Sequence, residues 1–365
     1  MGKVLAAVIP EPCAPVELCE VAEPELEQDS ALLAVELSEV CGTDVYLQRG
    51  LLAGVPYPLV PGHVSVGRLA KIRGSLADVE GGCFREGDRV TFLDVHRTCH
   101  ACWHCLVAKA STRCPARKVY GITYGLADAL AGGWAEKVYL RPGTHCISLD
   151  GVEPGRFMAG GCALPTALHA VERADVQLGA TVLVLGSGPV GLSAIALALM
   201  RGAFRVVCTG APAARLEAAL AVGADATLDI EEHTTEERAA WVLEQTEGRG
   251  ADVVIEATGA PAAVAEAMRY ARDAGTVVLV GQYTDHGETN FNPHLDLNRK
   301  HLDVRGCWGS DYSHFHRAAR IMRDPARSAP WSKLELERYG LSRAGDALAA
   351  VASGAVVKAL IDPRA

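Results

Sequence analysis

Two hydrophobic periodicities divide this 365-residue chain. Over roughly the first 150 residues, short β-branched runs such as LLAVELSEV, SVGRLAKI, DRVTFL and AEKVYL are separated by Gly, Pro and acidic turns, which predicts a mainly β domain. From about residue 160, continuous apolar runs alternate with helix-like stretches, the signature of a parallel sheet with crossover helices. Thr181–Leu185 (TVLVL), RVVCT, ADVVIEATG and GTVVLVG read as buried strands, with another at residues 304–308. LSAIALALMR, AARLEAALAV (stopping at Gly223) and AAVAEAMRYA read as the helices between them. A further helix is expected over residues 314–323, and a last amphipathic one in AGDALAAVASG. The division this predicts is one domain from residues 1–159 and 309–365, with a second, residues 160–308, inserted into it. No internal repeat or low-complexity segment interrupts the pattern.

Composition narrows the class. An apolar fraction of 49% and a charged fraction of 22% are those of an ordinary globular protein. The net charge of -9, with no basic run, argues against a nucleic-acid partner, because phosphate binding needs clustered Lys and Arg. The opening MGKVLAAVIPEP is broken by Pro10 and does not read as a signal peptide, and Ala6 stands where a myristoylation signal wants Ser or Thr. Apolar stretches near residue 190 contain Gly and Pro and stop at Arg201, so no membrane span is expected. Twelve cysteines without a secretory signal point to a reducing, cytoplasmic setting, with thiols buried or bound to metal.

Four of those cysteines fall within sixteen residues: Cys99-x2-Cys102-x2-Cys105-x8-Cys114. Such spacing suits a tetrahedral all-cysteine zinc site, whereas thiols three residues apart are badly placed to pair as disulfides. His100 and His104 alternate with these cysteines and read as solvent-facing or as supports to the four thiols. Cys13, Cys19, Cys83, Cys146, Cys208 and Cys307 belong to no motif and read as plain thiols.

The second motif is Gly186-Ser187-Gly188-Pro189-Val190-Gly191, which follows a predicted strand and opens a predicted helix. The first glycine permits a tight turn, the second lets the backbone approach a pyrophosphate, and the third allows close helix–strand packing. Free N–H groups and the positive dipole end of the helix then face the phosphates. An NAD site usually carries Asp or Glu at the end of the next strand, but here that strand ends Cys208-Thr209-Gly210-Ala211-Pro212. Without the acid a 2′-phosphate is not repelled, and Arg215 follows one helical turn later, which favours NADP over NAD.

Three scattered residues form a third constellation: Cys41 in Cys41-Gly42-Thr43-Asp44, His63 in Pro61-Gly62-His63, and Cys162 in Gly160-Gly161-Cys162-Ala163-Leu164-Pro165-Thr166. Two thiolates and an imidazole leave a zinc with one open position, as catalysis requires. Spacing alone does not group them. Taken in order with the 99–114 run, the glycine fingerprint and Ser353-Gly354-x3-Lys358, they make the chain resemble the zinc-dependent medium-chain alcohol dehydrogenases over nearly its whole length.

That resemblance implies an α/β protein, a GroES-like β-rich catalytic domain plus a Rossmann doubly wound parallel sheet. It implies a catalytic zinc on Cys41, His63 and Cys162 and a structural zinc on Cys99, Cys102, Cys105 and Cys114. Thr43 would relay the substrate proton, Thr166 would lie beside the nicotinamide and Lys358 near the pyrophosphate. Gly186, Gly188, Pro189, Val190 and Gly191 would hold the dinucleotide, and Gly210 stands where the NAD-selecting acid would be. The expected activity is hydride transfer between NADP (alternatively NAD) and a secondary or polyol-type alcohol and its carbonyl, in a homodimer or homotetramer.

Two positions depart from the family pattern. His63 is followed by Val64 where a glutamate is usual, and Tyr46 stands where many members carry a histidine that ends the proton relay. Zinc with two thiolates and a neutral imidazole is already charge-balanced, so metal retention with altered exchange of the fourth ligand is expected. A phenol is a poorer proton shuttle than imidazole at neutral pH, so Tyr46 reads as a pocket wall. Trp308 is a candidate lining residue of the substrate cleft. Two other readings keep the fold: a zinc-dependent biosynthetic reductase of an activated double bond or imine, and a non-catalytic binding protein. Retention of the three ligands, Thr43 and the fingerprint glycines disfavours the second.

Overall fold

Strands dominate the first part of the chain in the computed structural model, which describes residues 2–365. In chain order they are β1 (Lys3–Val8), β2 (Glu17–Ala22), β3 (Ser30–Val40), β4 (Ser65–Arg73), β5 (Arg89–Phe92), β6 (Val95–Arg97), β7 (Lys118–Val119), β8 (Lys137–Leu140) and β9 (Cys146–Ser148). Six parallel strands follow: β10 (Thr181–Leu185), β11 (Arg205–Gly210), β12 (Ala226–Asp229), β13 (Ala251–Glu256), β14 (Ala271–Leu279) and β15 (Asp303–Gly306). The chain closes with β16 (Leu336–Tyr339) and β17 (Lys358–Ile361).

The chain separates into two units. The first comprises Met1–Cys162, Asp311–Ser328 and Glu335–Ala365; the second comprises Ala163–Ser310 and Ala329–Leu334. The short Ala329–Leu334 segment packs with the second unit because Trp331, fully buried, donates its indole N–H to Ser193 Oγ at 3.1 Å.

In the first unit a seven-stranded sheet runs β16-β17-β3-β4-β5-β9, with β8 also paired to β3. The eleven-residue β3 is central and almost wholly buried, so its apolar run is continuous where a one-sided strand would alternate. A β1–β2 hairpin stands apart from this sheet. Its period-2 signal is weak in the sequence, because Ala6, Ala7 and Val8 are consecutive and all buried.

The second unit is the doubly wound sheet, in the order β12-β11-β10-β13-β14-β15. The order reverses between β10 and β13, and ligands bind beyond the strand carboxyl ends at such a switch point. The fingerprint glycines follow β10 at that place. Gly188 is the extended N-cap and Pro189 the first residue of the helix Pro189–Met200, where a missing N–H costs nothing. This helix is apolar on all sides and its residues 191–198 are buried. The helix Ala213–Val222 stops at Gly223, whose φ of 120° other residues rarely adopt. Edge strand β12 (ATLD) carries too little apolar signal to be predicted from the sequence.

Candidate metal and cofactor sites

The donor atoms of Cys41, His63 and Cys162 lie within 4.8 Å of one another, although 22 and then 99 positions separate them in sequence. Cys41 directly follows β3 and caps the helix Gly42–Gln48. His63 lies two residues before β4 and follows Gly62, whose φ is +87°. A Cβ at Gly62 would sit 2.5 Å from both Ser38 Oγ and Trp134 Cδ1, so only glycine lets the chain turn His63 inward here. Cys162 follows the helix Pro154–Gly160 and its cap, Gly161.

Asp44, fully buried, ties the first two ligands together. Its carboxylate accepts from the Cys41 N–H at 2.9 Å and from the Gly62 N–H at 3.4 Å, and stands 4.0 Å from His63 Nδ1. Burial, followed by the neighbouring Cys41 thiolate, raises its pKa well above the ordinary carboxylate range. Cys162 donates to Cys41, which holds the Cys41 thiol well below its usual pKa and drives that of Cys162 well above it. Burial alone would lower the pKa of His63, but the Cys41 thiolate beside it prevails and lifts it to about 10.

Two sulfurs and an imidazole nitrogen sharing protons this tightly are a set that a divalent cation fits. His63 Nε2 is 3.8 Å from Cys41 Sγ. Tetrahedral edges of about 3.5–3.8 Å follow from Zn–S and Zn–N bonds of about 2.3 and 2.0 Å. Three protein donors leave the fourth position open. Thr43 lies in the first turn of the helix that Cys41 caps, and its N–H helps hold the Cys41 thiolate. Tyr46 is half-buried on the same helix, with its phenol pKa raised by burial and then by Cys41, which makes it a still poorer shuttle than free tyrosine.

The four lobe cysteines also gather their sulfurs within 4.8 Å. Cys99 and Cys114 Sγ are 3.5 Å apart, and all twelve cysteines are free of disulfides. The N–H of Ala101, followed by the neighbouring thiols, lowers Cys99 to about 6. Partial burial and the thiols of Cys102 and Cys114 push Cys105 up to about 12. Four donors close this site, which suits a structural ion.

In the second unit, the fingerprint has the shape a pyrophosphate needs. A Cβ at Gly191 would lie 1.8 Å from the carbonyl oxygen of Gly186, whereas nothing lies within 4 Å of one at Gly188. Gly186 has a φ of +106°. Gly188, Pro189 and Val190 are partly accessible at the helix start, and Thr166 is half-buried in the helix Ala163–Ala174. Gly210 ends β11 against Ser187. Arg215 is on the following helix, its pKa lowered by burial. Tyr283 and Trp308 stack at 5.6 Å, and the indole N–H donates to Tyr283 O at 2.9 Å.

Lys358, which the resemblance assigns to the pyrophosphate, is buried in the first unit. Its ammonium is 2.7 Å from Glu39 Oε1 and 3.2 Å from Gly160 O. Sequence reasoning missed Glu39, Asp44 and Trp134 as parts of the metal site. Glu39 left one signal, a charged residue in a largely apolar strand two positions before a ligand.

Together the two units carry what a zinc- and nicotinamide-dependent oxidoreductase needs. The model of the alcohol dehydrogenase GroES-like domain matches residues 27–151, and that of the zinc-binding dehydrogenases matches residues 189–324. The chain is 31% identical over 355 residues to 5-exo-hydroxycamphor dehydrogenase of Pseudomonas putida, covering 95% of each. It is 31% identical over 307 residues to erythritol/L-threitol dehydrogenase of Mycolicibacterium smegmatis, covering 79% of this chain and 80% of that one. Among solved structures it resembles an alcohol dehydrogenase from Thermotoga maritima (TM-score 0.93, 30% identity, 99% and 100% of the two chains). It also resembles a protein designated a zinc-binding dehydrogenase, from Sinorhizobium meliloti 1021 and bound to NADP (TM-score 0.85, 26% identity, 100% of both). The chain belongs to the zinc-dependent medium-chain alcohol dehydrogenases, enzymes that use zinc and a nicotinamide cofactor. Among the described residues, no helix is long and apolar enough to cross a membrane.

Proposed function

We propose that this enzyme interconverts a secondary alcohol, polyols included, and its carbonyl counterpart, with NADP preferred over NAD. The observation that carries the reading is the convergence of Cys41, His63 and Cys162 into a three-donor site with an open fourth position. The relatives named for a hydroxycamphor and for erythritol and threitol support the alcohol class. The NADP-bound neighbour and the absence of an acid at Gly210 support the cofactor preference.

When bound, zinc supplies Lewis acidity to the substrate oxygen and the nicotinamide exchanges the hydride. Cys41, His63 and Cys162 hold the first of these, and Asp44 fixes the Cys41 backbone and faces the His63 ring. During oxidation the Thr43 hydroxyl relays the substrate's hydroxyl proton, accepting it while passing its own on to water, and the relay runs backwards during reduction. Cys99, Cys102, Cys105 and Cys114 hold a second zinc that fixes their loop. The segment Gly186, Gly188, Pro189, Val190 and Gly191 cradles the pyrophosphate, Pro189 by starting the helix and the others through backbone N–H groups, with Thr166 by the nicotinamide. Gly210 and Arg215 accommodate the 2′-phosphate. The working form is a cytoplasmic homodimer or homotetramer, which light scattering on the purified chain would test.

The deciding experiment is an absorbance screen of alcohols and carbonyls with each cofactor, with a zinc count and a Cys162→Ser control. Reduction of NADP by secondary alcohols, two zincs per chain and an inert Cys162→Ser protein are expected. Turnover confined to double-bond or imine substrates, identified by product mass and NMR, would overturn the alcohol reading.

A further inference from the structure

We infer that Glu39 is a positioning residue of the catalytic metal site: it clamps the main chain at Cys162 and so holds that thiolate on the metal. The inference rests on the metal-site reading above and gives Glu39 a role it has not so far had.

Glu39 is 1% exposed, and each carboxylate oxygen has its own task. Oε2 accepts the backbone N–H of Cys162 at 2.7 Å, and Oε1 meets the Lys358 ammonium at 2.7 Å. Lys358 in turn donates to Gly160 O at 3.2 Å. The segment 160–162 is thereby held at both ends of Gly161, by a carboxylate on one side and an ammonium on the other. The backbone at Gly161 has closed around this pair: its φ is +49°, and a Cβ there would lie 2.1 Å from Glu39 Oε2 and 2.7 Å from Lys358 Nζ. Glu39 is itself fixed, since its carbonyl accepts the Trp134 indole N–H at 3.0 Å.

A buried ion pair is not by itself a stabilising device, because desolvation offsets its attraction and apolar replacements are often neutral or better. What this pair does that an apolar pair could not is present a fixed acceptor to the amide of a metal ligand. Hydrogen-bonded groups just outside a metal's ligands orient those ligands, and losing one costs about 10- to 100-fold in metal affinity. The strand pairing explains why the acid stands here. Glu39 donates its N–H to Val64 O at 3.0 Å, so the two residues are cross-strand partners. Position 64, beside His63, carries an apolar side chain. The carboxylate next to the site comes instead from the facing strand, where it reaches Cys162.

Two double variants separate the clamp from the ion pair. Glu39→Gln/Lys358→Met removes both charges but keeps a carbonyl oxygen for the Cys162 amide, whereas Glu39→Ala/Lys358→Met removes the acceptor as well. Readouts are zinc per chain, the rate at which a chelator strips the weaker zinc, and the absorption bands of the cobalt-loaded protein. The Gln variant should keep two zincs with near-wild-type stripping. The Ala variant should keep the structural zinc, lose the other about 10- to 100-fold faster and show displaced cobalt bands. Equal stripping by the two variants, whether slow or fast, would overturn the inference. If the Ala variant does not fold, Gly161→Ala decides, because its methyl group displaces the carboxylate while Glu39 and Lys358 both remain. Fast stripping supports the clamp and unchanged stripping refutes it. Wild-type protein with only the lobe zinc would instead sink the metal-site reading itself.

Discussion

A Cβ placed on Gly210 would lie 2.4 Å from Ser187 Oγ. The turn after β10 and the end of β11 are packed so closely that the residue at 210 cannot carry a side chain unless Ser187 yields. The missing NAD-selecting acid is therefore built into the packing of the fingerprint, beyond being a feature of position 210 alone. Gly210→Asp should bind both cofactors poorly, whereas Gly210→Asp/Ser187→Gly removes the contacts with Ser187 Oγ and Cβ and leaves the backbone nitrogen at 2.9 Å, which the glycine turn must absorb by a small shift. The double variant should lose NADP efficiency by tenfold or more, roughly 1.4 kcal/mol per decade, and gain NAD efficiency. Steady-state kcat/KM with each cofactor checks it.

Arg215 supplies the other half of the cofactor argument. A charge-assisted hydrogen bond contributes about 1.5–3 kcal/mol, so Arg215→Ala should raise the KM for NADP roughly 10- to 100-fold. KM for NAD should stay within about twofold, because nothing on NAD presents a 2′-phosphate. An equal effect on both cofactors would remove Arg215 from the 2′-phosphate site.

The lobe cysteines should behave differently from the catalytic trio. Cys105→Ser leaves three thiols in a four-donor site, so zinc should fall from two per chain to one. The loop spanning residues 99–114 contains only a four-residue helix and a three-residue 3₁₀ turn, and Trp103, Leu106 and Val107 are exposed. With so little packing of its own, it should become the first site of limited proteolysis. The Cys41, His63 and Cys162 cluster does not depend on it, and its zinc should remain.

The contrast between these two sites shows what the chain makes legible. Cys99, Cys102, Cys105 and Cys114 are close in sequence, so their spacing displays their geometry directly. The strand–turn–helix setting of Gly186 to Gly191 is local in the same way, and β10 and its following helix appear where the apolar runs lie. Cys41, His63 and Cys162 are brought together only by the pairing of β3 with β4 and by the turn after the helix Pro154–Gly160, so the resemblance, and not their spacing, grouped them. Glu39, and its meeting with Lys358, were hidden for the same reason. Their meeting requires the pairing of β17 with β3, a contact between residues 319 positions apart. The β1–β2 hairpin and the edge strand β12 escaped notice because their apolar signal is weak or fails to alternate.

Acid sensitivity should arise partly at Glu36. Burial opposes its ionisation, but the guanidinium of Arg89, bound through Nε at 2.6 Å and Nη2 at 3.1 Å, and then Arg68, bring its pKa below the ordinary glutamate value. A depressed folded-state pKa means that the stabilisation is complete above about pH 4.3, the unfolded value, and is lost as pH falls through the folded one. Arg89→Ala should cost about 2 kcal/mol near neutrality, lowering Tm by roughly 4–8 °C. It should also flatten the acid side of the stability curve, which denaturant titrations from pH 7 down to 3 would show. An unchanged acid limb would mean that Glu36 ionises as it does in the unfolded chain.

Gly62→Ala is the sharpest test of how the fold aims His63. The added methyl group would meet Ser38 Oγ and the Trp134 ring at 2.5 Å each, in a backbone conformation with φ of +87°. Both neighbours are buried, and Trp134 is also bound to Glu39 O, so neither can retreat cheaply. The chain must rotate out of the left-handed region, which costs more than about 1 kcal/mol and withdraws the Gly62 N–H from Asp44. His63 then no longer faces Cys41 at 3.8 Å. The variant should retain the lobe zinc, lose the catalytic one and show less than about a hundredth of wild-type kcat/KM, the upper end of the loss expected when a ligand's support fails. Cobalt substitution and zinc analysis on the folded variant check the cause. A Gly62→Ala protein with two zincs and normal turnover would show that His63 is aimed by some other constraint.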